Sequence, residues 1–171
     1  MNSNIRYYLT IPIVALLGLA QSALFSDIRV FDASPDLVFV VVITWVLIRD
    51  QPEGLLAAIV GGAVVASLSG GPKMLIFLLF VGCSVLVGYA HRHLPRMAGI
   101  IPYLSIILAT LVYKGTMIFW LQTTAKLVYM PGLIIQNVIP AVLLNTLLTV
   151  FMYHLGVRID KRLGPPTVEW E

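Results

Sequence analysis

The chain reads as an all-α membrane protein of six transmembrane helices, and three observations carry that expectation. Of its 171 residues, 59% are hydrophobic and 11% are charged, with a mean hydropathy of +0.95. That balance belongs to polytopic membrane proteins. The apolar residues fall in six runs separated by short charged or Pro/Gly-rich breaks, each shorter than a folding unit. One membrane domain over residues 1–157 and a charged tail over 158–171 therefore account for the chain. Finally, the runs richest in valine and isoleucine, which would read as strands in water, must be helical in lipid, where a lone strand leaves its backbone groups unpaired.

The first span, residues 5–25, is long enough at about 1.5 Å per residue to cross a hydrocarbon core of about 30 Å. Arg6 and Ala20-Gln21-Ser22 would also fit a cleaved signal peptide. The apolar run exceeds the usual signal core of about 7 to 15 residues, so the span is preferred. Pro12 bends this helix without ending it.

The second span, 35–48, opens on Ser34-Pro35-Asp36: a cap, a proline for the first helical position, and an acid where the helix dipole favours an anion. Trp45 near its end suits the membrane interface. Past Arg49-Asp50, Gln51-Pro52-Glu53 repeats the start signal and begins the third span, 52–68. Gly54, Ala58, Gly62 and Ala66 fall four apart there and form a ridge without bulk, where another backbone can approach closely.

Ser69-Gly70-Gly71-Pro72 closes that helix and opens the fourth span, 72–90, which runs into the most basic loop, His91-Arg92-His93-Leu94-Pro95-Arg96. The fifth span, 102–121, follows Pro102 and gives way to Gln122-Thr123-Thr124-Ala125-Lys126. The sixth, 131–155, holds Pro140, where a kink is expected. The tail carries Gly164-Pro165-Pro166 and reads as extended.

Lysine and arginine set the orientation. With the N-terminus inside, the cytoplasmic side holds Arg6, Arg49, Arg92, Arg96, Arg158, Lys161 and Arg162, against Arg29, Lys73 and Lys126 outside. Both termini are then cytoplasmic. The formal charge of +3 and pI near 9.2 thus report topology, because the basic residues sit at helix ends and form no soluble patch for nucleic acid.

Reactive chemistry is sparse. Cys83 lies alone in an apolar run, which excludes an intrachain disulfide or a CxxC metal site. His91 and His93 flank Arg92 without a carboxylate or cysteine near in sequence, so interfacial anchoring is preferred to metal binding; His154 reads the same way. No catalytic motif and no acidic pair lies within a span, and neither catalysis nor a cofactor is expected. Lys114 is the one lysine or arginine that lies well inside a span, away from its ends. It lies about seven residues, roughly 10 Å, from the outer end of its helix, a gap that snorkelling largely closes. The sharper alternative is an outer-leaflet ion pair with Asp36. On the sixth span Asn137, Ala141, Asn145 and Thr149 recur every four residues and face protein. Interhelical hydrogen bonding is the preferred role for this stripe, ahead of the polar wall of a ligand cavity.

Taken together, these features resemble the rod shape-determining protein MreD family, the small polytopic component of the bacterial cell-elongation machinery. The likeness is carried by Pro35-Asp36-Leu37 at the start of a span, Trp45 near its end, Gly54 and Gly62 on the next helix, Ser69-Gly70-Gly71-Pro72 after it, and Pro140 in the last span. One departure is plain: the family usually carries an acidic residue three positions before the Ser-Gly, and here that position is Ala66.

The resemblance implies a non-catalytic scaffold in the bacterial cytoplasmic membrane that binds the single-span periplasmic protein MreC. Through MreC it would reach the MreB filament, the glycosyltransferase RodA and its penicillin-binding transpeptidase, organising peptidoglycan synthesis along the side wall. It also implies a fold similar to the substrate-binding subunits of energy-coupling-factor vitamin transporters, and such a subunit is the alternative function. The Ala-x-x-x-Ala docking motif of those subunits is missing, since Leu19 follows Ala15 and Leu24 follows Ala20 at that spacing. On the scaffold reading, MreC or a second copy of the chain docks on the ridge of Gly54, Ala58, Gly62 and Ala66. The Arg92/Arg96 loop and the tail then face cytoplasmic proteins or anionic lipid.

Overall fold

The computed structural model describes residues 3–24, 35–49, 51–93, 100–125, 132 and 134–163. Six α-helices fill most of them: α1 Ser3–Leu24, α2 Leu37–Ile48, α3 Gln51–Leu68, α4 Lys73–His93, α5 Ile101–Ala125 and α6 Ile139–Leu163. Among the described residues there is no strand, and the Val/Ile-rich run is helix α2. Three stretches, Lys73–His93, Ile101–Thr124 and Ile134–Lys161, are long and apolar enough to cross a membrane, while α1, α2 and α3 contribute shorter apolar segments.

Helix α2 is apolar on every side, so no face of it suits water, and the fold buries most of it. It occupies the centre of the bundle and packs against all five other helices. Its Val38, Phe39, Val40 and Val42 are wholly buried. Phe39 anchors the core, stacked on Tyr113 of α5 at 5.0 Å and edge-on to Phe80 of α4 at 5.1 Å. Around this axis α3 bridges α1 and α4, and α5 bridges α4 and α6. Helices α2 and α6 run parallel, because Asp36 meets Asn145 at the head of α2 and Arg49 meets Asp160 at its foot.

Several boundaries differ from the sequence expectation. Helix α2 starts at Leu37, with Asp36 in the cap position, so Pro35 precedes the helix; Ser34 lies outside the described residues. Pro12 sits within a continuous α1, as expected of a proline whose neighbours remain helical. Pro140 is preceded by a π turn at Ile134–Val138. Proline has no N–H to give the carbonyl four residues back and its ring crowds that carbonyl, and a widened turn relieves both. Helix α6 then continues through Leu163, so residues 158–163 of the expected tail are helical.

The small-residue ridge of α3 corrects an expectation about docking. Ala58 is fully buried and Ala66 is 6% exposed. A Cβ added at Gly54 would lie 2.8 Å from the Val46 backbone of α2, and one at Gly62 would lie 2.9 Å from Cβ of Phe80 on α4. The ridge is already occupied by the chain's own α2 and α4. MreC or a second copy would have to displace a core helix to reach it.

Candidate functional site

The polar chemistry of the bundle gathers at the two ends of α2. At its head, the first N–H groups of a helix have no partner within the helix and must find one elsewhere. The Asp36 N–H donates to Oδ1 of Asn145 on α6 at 3.0 Å, and the Val38 N–H donates to Oε1 of Gln21 on α1 at 2.7 Å. Asp36 makes no side-chain capping bond of its own. Its carboxylate turns to α5 instead, where Lys114 Nζ lies 2.7 Å from Oδ2, with the two side chains 16% and 14% exposed. The ammonium also lies 5.6 Å from the centre of the Tyr113 ring, a cation–π distance.

Asn145 completes the head cluster. It is fully buried, and its Nδ2 donates to Thr110 Oγ1 on α5 at 3.2 Å. One turn on, Thr149 donates its hydroxyl to the Asn145 carbonyl at 2.7 Å. Four helices, α1, α2, α5 and α6, are thus tied together near the head of α2 by these hydrogen bonds and one ion pair. Lys114 is paired across the bundle, so the sharper of its two expected roles describes the geometry.

At the foot of α2 sits Arg49, its side chain 2% exposed. Its Nε lies 2.7 Å from Oδ1 of Asp160 on α6 and 3.7 Å from Oε2 of Glu53 on α3, and its guanidinium stands 5.7 Å from the Trp45 ring. One cation thereby joins the ends of three helices and is shared between two carboxylates, its close contact being with Asp160.

The remaining predicted residues spread over the molecule. Leu37 is buried in the first turn of α2, and Trp45 is half-buried beside Arg49. Gly71 donates its N–H to Ser69 Oγ at 3.1 Å, shaping the turn that Gly70 and Pro72 complete before α4. Pro140 and half-buried Asn137 belong to the π-turn region, and Ala141 is fully buried on the Asn145 face. His93 closes α4, its Nδ1 2.9 Å from the Tyr89 carbonyl. The structure therefore joins Asp36, Lys114, Asn145 and Thr149 in one cluster and leaves the glycine and proline motifs as packing and turn elements.

Sequence reasoning missed Gln21, Thr110, Arg49, Glu53 and Asp160. Arg49 and Glu53 stand on either side of the break between α2 and α3, where spacing along the chain does not announce a contact, and Gln21 stood out as an amide in an apolar run. Asp160, far along the chain from Arg49, gave no signal. Comparisons with family models, with curated proteins and with solved structures find no match.

Proposed function

We propose that this chain is an MreD-like, non-catalytic scaffold of the bacterial cell-elongation machinery that binds MreC and, through it, the MreB filament, RodA and its transpeptidase. On this reading all six helices span the cytoplasmic membrane, both termini lie in the cytoplasm, and the fold is of the kind used by energy-coupling-factor substrate-binding subunits. The carrying observation is the head cluster: Asp36, the first residue of the family-like Pro-Asp-Leu motif after its proline, is held by Lys114 and Asn145. The motif thus has a structural task that suits a rigid platform. With Gly54 and Gly62 packed from within, this reading assigns the partner to the exposed faces of the outer helices.

The alternative, a vitamin-binding transporter subunit, draws on the same buried polar cluster, which would then border a ligand. Copurification from membranes separates the two. MreC as a stoichiometric companion supports the scaffold, whereas a bound small molecule without MreC supports the transporter subunit and overturns the scaffold.

A further inference from the structure

The last three turns of α6 carry two exposed strips side by side. Phe151, Leu155 and Ile159 are 63%, 40% and 41% exposed and lie four residues apart, as a lipid-facing row would. Arg158 and Lys161 are exposed on the adjoining side of the same turns. At about 100° per residue, Asp160 falls away from both strips, and it is drawn inward to Arg49 at 2.7 Å. The carboxylate nearest in sequence to the basic strip is thereby turned away from it and paired with a buried guanidinium. Among the described residues no other acidic side chain pairs with Arg158 or Lys161.

We propose that this end of α6 is a binding surface for anionic phospholipid, with acyl chains along Phe151, Leu155 and Ile159 and the headgroup phosphate against Arg158 and Lys161. Apolar and basic strips sharing one helix face at the end of an apolar helix fit the boundary between acyl chains and headgroups. Arg49 acts as a positioning residue. By holding Asp160 it keeps the rotation of α6 that turns the basic strip outward and keeps that carboxylate away from it.

The test uses the full chain reconstituted in phosphatidylcholine vesicles containing phosphatidylglycerol, with spin-labelled forms of both lipids reporting association at the protein boundary. The native chain is expected to prefer phosphatidylglycerol, and high salt to weaken the preference. Arg158→Gln and Lys161→Gln should each reduce it about fivefold. Lys73→Gln, at the opposite end of the bundle, should leave it unchanged. Equal association of the two lipids with the native chain, or a preference that survives the double substitution, overturns the proposal. So does polyglutamate binding to the native chain in pure phosphatidylcholine that the double substitution abolishes, because the surface would then belong to an acidic protein. No partner protein is present in this experiment, so its outcome is independent of the scaffold reading.

Discussion

Lys114 and Asp36 show how a charged group is tolerated within an apolar bundle. Bringing both out of water is costly, and their attraction offsets that cost only when the geometry is close, as a 2.7 Å contact is. Lys114→Met or Asp36→Asn alone should each destabilise the protein by about 3 to 5 kcal/mol, because each strands the other group. The double variant should cost clearly less than the two added together, as read from unfolding midpoints in mixed micelles. Asn145→Leu should cost about 1 to 3 kcal/mol by leaving the Asp36 N–H and the Thr110 hydroxyl without a partner. A variant that kept full stability but lost a copurifying small molecule would favour the transporter alternative. The sequence marked both Lys114 and Asp36, yet snorkelling along one helix seemed the plainer solution. Distance along α5 alone carries no sign that the head of α2 lies beside Lys114.

Among the helices, α3 and α6 teach different lessons. The ridge of Gly54, Ala58, Gly62 and Ala66 was legible as a close-approach surface, but periodicity does not say which backbone approaches. In the fold it is α2 and α4 of the same chain. Gly62→Leu should therefore cost about 1 to 3 kcal/mol through overpacking against Phe80 and Phe77. Thermal unfolding of the isolated protein would detect this whether or not a partner is present. On α6, the presence of Pro140 announced a distortion, while its form, a π turn at Ile134–Val138, depended on neighbours that a local reading does not see. The extension of α6 through Leu163 escaped notice because Arg158, Asp160, Lys161 and Arg162 resemble a solvated tail. The contact of Asp160 with Arg49 helps hold them in a helix.

For the molecule as a whole, composition was enough to predict an all-helical, apolar bundle, since lipid leaves the backbone little alternative. The arrangement was less legible. A helix apolar on all sides, such as α2, has no preferred face from which its neighbours can be deduced, so its central place emerges only in three dimensions. The proposed topology has its own check: reporter domains fused at the two termini should lie on one side of the membrane, and a reporter inserted at Gly70 on the other. Termini on opposite sides would refute the six-span reading.

The brevity of α2 carries a consequence for the surrounding bilayer. Its 12 residues, Leu37–Ile48, are flanked at once by the charged clusters of Asp36 and Arg49. At about 1.5 Å per residue these clusters are separated by about 20 Å, against about 30 Å of hydrocarbon. On the six-span reading its ion pairs are then recessed below the headgroups, enclosed by helices α4, α5 and α6 that are long enough to match the bilayer. Thick bilayers would draw those pairs further from water, whereas thin ones would bring the surface to meet them.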